Sequence, residues 1–120
     1  MEIDPGKLAF SVAHVGVNCD SAGQALALAR LFEAAFAFPV KEGASSCFVG
    51  SGVEAMKRPY LGANGHIAVA TDDIVLAVEY LAERGFECDP DTAKYRDGRL
   101  AAIYLRREFG GFAVHLLQRH

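Results

Sequence analysis

The chain has 120 residues, of which 52% are apolar and 22% are charged, and its formal net charge is −3. This length and composition predict one globular domain over residues 1–120 and exclude a disordered chain. The chain has no dense basic stretch, and its apolar runs are shorter than the roughly 18 residues of a membrane helix. We therefore expect neither nucleic-acid nor membrane binding.

The N-terminal residues and the cysteines indicate a cellular compartment. Residues 1–6 lack the basic start and the apolar core of a signal peptide. The three cysteines, Cys19, Cys47 and Cys88, are widely spaced and form no CxxC motif. Both observations predict a cytoplasmic protein whose cysteines are small, buried, reduced thiols.

The first half of the chain, module one, covers about residues 8–58. After a short polar entry, its pattern predicts a strand, a helix and three strands, at residues 10–19, 21–36, 40–42, 45–49 and 52–57. Ser21 is the predicted helix N-cap, with Gln24 at the capping-box position, and Pro39 ends the helix. Glycine-rich spacers of hairpin length separate the short strands.

The second half, module two, covers about residues 65–120 and repeats this order after a linker at 59–65. Its predicted elements are a strand at 66–70, a helix from 74 to Gly85, an extended segment at 86–88, a loop that includes Pro90 and Asp97-Gly98, and strands at 100–105 and 112–118. The sequence therefore predicts a duplicated α+β fold.

Four side chains of types that can bind a metal lie at equivalent places in the two halves. His14 and His66 are on the first strand of each module, while Glu54 and His115 are on the last. Side chains alternate between the two faces of a strand, so each of the four lies on the face opposite to the apolar residues of its strand. In the first strand the same alternation places Val12 on the face of His14. We therefore expect one concave face to carry all four.

These four residues together favour metal binding. A single histidine on an apolar strand is more often structural, and a lone glutamate can be an edge-strand charge. Burying three imidazoles and a carboxylate together without a metal would be costly, however. The set suits Zn, Ni, Co, Mn or Fe(II).

Such a centre would act on a small molecule with adjacent oxygens, such as a 2-oxo or hydroxy acid. Glu54 is the candidate base, because a weakly held carboxylate ligand can leave the metal and take a proton. Candidate residues for binding an anionic substrate are Lys57, Arg58, Arg96 and Arg99, although each alone is more often a solvated loop charge.

Several sequence runs resemble a known family. The runs FPVKEG (38–43), PYLG (59–62), GHIA (65–68) and GGFAVHL (110–116) carry this resemblance. The chain resembles the vicinal oxygen chelate superfamily, which includes glyoxalase I, extradiol dioxygenases and methylmalonyl-CoA epimerase, over residues 10–118. More closely, it resembles glyoxalase-like domains that in some bacteria accompany 2-keto-3-deoxy-6-phosphogluconate-type aldolases.

The resemblance implies two βαβββ modules that form an eight-stranded cupped sheet with helices on the outer face. It matches His14, Glu54, His66 and His115 to the family's metal ligands, and it implies a homodimer. Glyoxalase I and the dioxygenases usually carry glutamate on the eighth strand, where this chain has His115. The expected function is a divalent-metal-dependent lyase, isomerase or epimerase of the glyoxalase type.

Two alternatives remain open at this stage. The first is a non-catalytic metabolite- or metal-binding module that accompanies a sugar-acid aldolase. The second is an Fe(II) dioxygenase, but the histidine at position 115 argues against it. Whether one chain supplies all four ligands, or two chains share them, is also open.

Overall fold

The structure, a computed structural model, describes residues 3–120, so residues 1 and 2 of the predicted domain lie outside the described residues. The described elements are α1 (Pro5–Leu8), β1 (Ser11–Asn18), α2 (Ala22–Phe36), β2 (Val40–Glu42), β3 (Ser46–Val49), β4 (Val53–Met56), β5 (Gly65–Thr71), α3 (Ile74–Glu83), β6 (Cys88–Arg96), β7 (Arg99–Leu105) and β8 (Phe112–Gln118).

The eight strands form one mixed sheet in the order β2-β3-β4-β1-β5-β8-β7-β6. At its centre β1 pairs antiparallel with β5, and this is where the two modules meet. On either side, β4 runs parallel to β1 and β8 runs parallel to β5. The predicted α+β class and eight-stranded sheet are confirmed. The four central strands are the ones that carry the four predicted ligands.

Both long helices begin at a side-chain cap, and the cap of α2 is the predicted Ser21. The Ser21 side chain accepts a hydrogen bond from the Gln24 backbone N–H at the start of α2, and Asp73 does the same for Leu76 in α3. Helix α3 ends at Glu83, just before Gly85 with its φ of 87°. None of the helices in residues 3–120 is long and apolar enough to cross a membrane.

The helices cover one face of the sheet, which we call the helix face. Under α2 the buried cluster includes Cys47 and Ala55, and under α3 it includes Val114 and Leu116. Because strand neighbours point to opposite sides, the residues next to them in β4 and β8, Glu54 among them, lie on the other face. We call this second face the open face.

A β-bulge in β1 corrects one of the predicted face assignments. The register with β5 shifts between Val12 and His14, so that Val12 pairs with Val69 whereas His14 pairs with Ala68. Val69 packs on the helix-face cluster, so Val12 does not share a face with His14 as alternation predicts. The extra residue of the bulge is the physical reason.

Strand β6 differs most from the sequence prediction. Extended structure was expected only at 86–88 and a loop afterwards, but the strand runs from Cys88 to Arg96 and includes Pro90. Proline fits here because β6 is an edge strand and its register with β7 shifts between Asp89 and Lys94. Asp97 and Gly98 form its two-residue turn, both with positive φ as a type I′ turn requires.

The short helix α1 lies in the N-terminal segment, which the sequence predicted to be only a short polar stretch. Asp4 caps it and Pro5 occupies its first turn. Its last residue, Leu8, is completely buried in the cluster under α3, and the Leu8 carbonyl accepts hydrogen bonds from Thr71 and Asp72. This segment therefore closes the end of the second module's core.

We predict that Leu8→Ala lowers the free energy of unfolding by about 2–5 kcal/mol, because it leaves a cavity among buried side chains. Leu31→Ala is the matched control, since Leu31 is 67% exposed on α2 and should change stability by no more than about 0.5 kcal/mol. Urea denaturation of both variants measures the difference. Equal stabilities would show that α1 is not part of the core.

Candidate metal centre

The four predicted ligands occupy two neighbouring rows of cross-strand partners on the open face. The rows run Glu54–Gly16–His66 and His14–Ala68–His115. A small residue therefore lies between two ligands in each row, and the ligands of one row lie beside the small residues of the next. This arrangement lets four side chains converge without crowding, and all four come from one chain.

Gly16 is the tightest point of the arrangement. A Cβ built at this position would lie 2.0 Å from His66 Cε1 and 2.3 Å from His66 Nδ1. The imidazole of His66 therefore rests directly on the Gly16 backbone. Only glycine leaves room for the ring in this orientation.

Three ligand atoms form a compact triangle. His14 Nε2 and His66 Nε2 are 3.3 Å apart, and Glu54 Oε1 lies 3.4 Å from the first and 3.0 Å from the second. Ligands about 2.0–2.1 Å from a tetrahedral ion lie about 3.3 Å from one another. The spacing therefore matches one metal ion shared by these three atoms.

Glu54 is held at both oxygens. Its Oε1 faces the two histidines, and its Oε2 accepts a 2.6 Å hydrogen bond from the buried Ser46 hydroxyl. Burial acts to raise the pKa of Glu54, but the hydrogen bonds to His14, His66 and Ser46 outweigh burial and hold the pKa well below its usual range. The carboxylate is therefore charged and oriented for a cation.

His115 completes the group from β8. Each of His14, His66 and His115 offers one nitrogen within 4.8 Å of the others. The His115 ring stacks on Tyr104, with ring centroids 4.5 Å apart and planes inclined by 28°. Burial, together with nearby His66 and His14, lowers the pKa of His115 to about 3, so the imidazole is neutral and keeps a lone pair for a metal.

Unpartnered nitrogens test whether the residues fit a metal. Within residues 3–120, two buried side-chain nitrogens have no hydrogen-bond partner, His66 Nδ1 and His115 Nε2. A buried nitrogen without a partner costs about 1–3 kcal/mol, and a metal ion is a partner for His115 Nε2. Together with the triangle of ligand atoms, this shows that the donor set suits a borderline divalent ion.

Four residues around the cluster were not identified from the sequence. Phe48 lies edge-on to the His14 ring with centroids 5.4 Å apart, and Ser46 and Tyr104 contact Glu54 and His115. Lys94 pairs with Ala102, two residues along β7 from Tyr104. Alternation along β3 and β7 shows which residues share a face with Phe48 and Tyr104. The cross-strand registers are also needed to show that this is the face of the cluster.

Two of the predicted anion-binding residues lie beyond the end of β4. Lys57 forms a 2.9 Å ion pair with Glu42, whose cross-strand partner Cys47 belongs to the core under α2. Lys57 is thus engaged on the helix face. Arg58 is exposed in the segment that follows.

The other two, Arg96 and Arg99, flank the turn between β6 and β7. They are cross-strand partners and both are exposed, and Arg96 also contacts His120. Arg99 is five residues along β7 from Tyr104, which corresponds to about 17 Å in an extended strand. The structure therefore brings together the four metal-ligand candidates but leaves these arginines at a distance.

Comparison with solved structures identifies proteins of the same fold. The chain is similar to a hypothetical protein from Bacillus halodurans C-125, with 15% identity, a TM-score of 0.66, and coverage of 93% of this chain and 96% of the other. It is also similar to methylmalonyl-CoA epimerases from Streptomyces coelicolor (14%, TM-score 0.59, coverage 90% and 93%) and Mycobacterium tuberculosis (9%, TM-score 0.61, coverage 99% and 93%).

These similarities show that the chain has the fold of the vicinal oxygen chelate proteins, with two βαβββ modules in one sheet. No protein-family model matches the chain. A comparison with curated proteins likewise finds no match.

We predict that Gly16→Ala lowers zinc affinity by at least about tenfold, because the added methyl group displaces the His66 ring. Gly52→Ala is the matched control, since a Cβ at Gly52 would meet nothing within 4 Å. Competition with a zinc-binding dye measures both affinities, and circular dichroism checks the fold. Unchanged zinc affinity in Gly16→Ala would contradict the arrangement.

Proposed function

We propose that this protein is a divalent-metal-dependent lyase, isomerase or epimerase of the glyoxalase type, and that it acts on a small oxo or hydroxy acid. The observation that carries the proposal is the triangle of His14 Nε2, His66 Nε2 and Glu54 Oε1, with sides of 3.0–3.4 Å. Its spacing is that of ligands around one ion, and neutral His115 lies beside it.

The open face is suited to a substrate that has two adjacent oxygens. A divalent ion held here would polarise a substrate carbonyl and offset the charge that develops when a neighbouring proton leaves. His14 and Glu54 remain partly accessible, with side chains 14% exposed, whereas the His66 side chain is only 4% exposed. A substrate would therefore approach from the side of His14 and Glu54.

Glu54 is the residue that we propose as the base. The Ser46 hydroxyl anchors its Oε2, so Oε1 can turn away from the histidines while the side chain stays in the site. Its low pKa keeps it unprotonated, and the hydrogen bonds to His14 and His66 that lower the pKa have to be released before it takes up a proton. In this role Glu54 removes the proton next to the polarised carbonyl and can return it to the same carbon or to its neighbour.

The structural neighbours support proton transfer of this kind. One is a methylmalonyl-CoA epimerase described in complex with methylmalonyl-CoA. We extend from these proteins only the reaction class, because identities of 9–18% do not carry a substrate. Association with a sugar-acid aldolase, a homodimeric state and a cytoplasmic location are further parts of the proposal, and they rest on the sequence.

A second candidate function is an Fe(II) oxygenase. Two histidines and one carboxylate on one face are the ligand set typical of non-haem iron oxygenases, and His14, His66 and Glu54 form such a set. His115 argues against this candidate, because a fourth protein ligand would occupy a position that oxygen or substrate needs.

The test is metal-dependent exchange of a substrate proton with D2O, followed by NMR. The protein is stripped with a chelator, reloaded separately with Zn, Ni, Co, Mn or Fe(II), and given lactate, 2-oxobutyrate, methylmalonyl-CoA and the glutathione adduct of methylglyoxal. We expect exchange with at least one compound after reloading and none after chelation. Glu54→Gln should slow this exchange by about 100-fold or more, because the base is lost.

Glu33→Gln is the control, because Glu33 lies on α2, which packs on the helix face, and pairs with Arg30. It should exchange like the wild type. Exchange that survives complete metal removal would contradict the proposal. Tight metal-dependent binding of an acid without exchange would favour the non-catalytic module instead.

A further inference from the structure

The linker between the two modules is held at the end of β1 by Asn18. The Asn18 amide donates to the Gly62 carbonyl at 3.0 Å, and Asn18 Oδ1 accepts from the Tyr60 N–H at 3.3 Å. The Asn18 backbone N–H also donates to the Asn64 carbonyl at 3.1 Å. Asn18 ends β1, the strand of His14, so the linker is held at a defined position beside the cluster.

This placement brings an exposed aromatic ring against Tyr104, the residue that stacks on His115. The Tyr60 ring lies edge-on to Tyr104 with centroids 5.9 Å apart, and Tyr104 stacks on His115 at 4.5 Å. Tyr104 is 8% exposed, whereas Tyr60 is 54% exposed. The three rings form a continuous series from the linker to the cluster, and Tyr60 is its accessible end.

The side chains of the ring series are uncharged, whereas the substrate-binding candidates from the sequence were lysines and arginines. Lys57 is paired with Glu42 on the helix face, and Arg99 lies about 17 Å along β7 from Tyr104. On the other side of the cluster the neighbour of His14 is Phe48, again an aromatic ring. A substrate chelated at the cluster therefore meets aromatic side chains before it reaches Lys57 or Arg99. The cation beside the ring series is Lys94, which pairs with Ala102 two residues along β7 from Tyr104.

We propose that Tyr60 and Tyr104 form a binding surface for an aromatic ring on the substrate. The substrate class is then a 2-hydroxy or 2-oxo acid with an aryl group close to its chelating oxygens. This inference rests on the proposed function, because the chelating end has to be held by the metal. Aromatic rings attract one another in edge-on and offset arrangements with centroids 4.5–7 Å apart, and the Tyr60 ring has an exposed surface for such a partner.

The experiment compares two acids that differ only by a phenyl group. Isothermal titration calorimetry measures the affinities of 3-phenyllactate and lactate for the zinc-loaded protein and for the chelated protein. We expect 3-phenyllactate to bind at least about threefold more tightly than lactate, and only when zinc is present. Tyr60→Ala should remove this preference, while Tyr60→Phe should keep it because the ring remains.

Tyr95→Ala is the matched control, because Tyr95 is 68% exposed but lies on the edge strand β6. It should keep the preference for 3-phenyllactate. Equal affinities of the two acids for the wild type, or a preference that persists in Tyr60→Ala, would overturn the aromatic surface and leave the metal proposal standing. Failure of both acids to bind in a zinc-dependent way would overturn this inference, and the proton-exchange experiment then tests the proposed function separately.

Discussion

The antiparallel register between β1 and β5 positions all four candidate ligands. It places Gly16 opposite His66 and Ala68 opposite His14, and the parallel strands on either side then add Glu54 and His115 to the same two rows. A shift by one residue would turn the histidines of one strand toward the helices. The bulge between Val12 and His14 is the point at which the pairing of β1 with β5 changes to this register.

The register also determines the electrostatics of the centre. Glu54 supplies one negative charge, and the low pKa of His115 keeps its imidazole neutral. With a divalent ion such a site would carry a net charge near +1, whereas a centre with a second glutamate in place of His115 would be neutral. The histidine on β8 therefore makes the site more attractive to an anionic chelating acid.

Much of the fold and of the candidate site follows from local sequence. Alternation in β4, β5 and β8 placed Glu54, His66 and His115 on one face, and the cap at Ser21 located the start of α2. These features depend on neighbouring residues, which is why the sequence reveals them. The repeat of histidines at 14 and 66 likewise marked the two modules.

The features that the sequence did not reveal depend on partners far along the chain. The bulge at Val12 requires the pairing with β5, and Pro90 is tolerated only because β6 has one neighbour. The contact of Tyr104 with His115 arises from the register of β7 with β8. Ser46 reaches Glu54 across β3 and β4, and no local pattern distinguishes it from an ordinary strand serine.

We propose that three imidazoles and one carboxylate of a single chain hold one metal ion. X-ray absorption spectroscopy of the zinc-loaded protein tests it most directly, because imidazole rings give a distinct outer-shell scattering that can be counted. We predict one zinc per chain with only nitrogen and oxygen ligands, three of them imidazoles. A sulfur ligand, or fewer than three imidazoles, would contradict it.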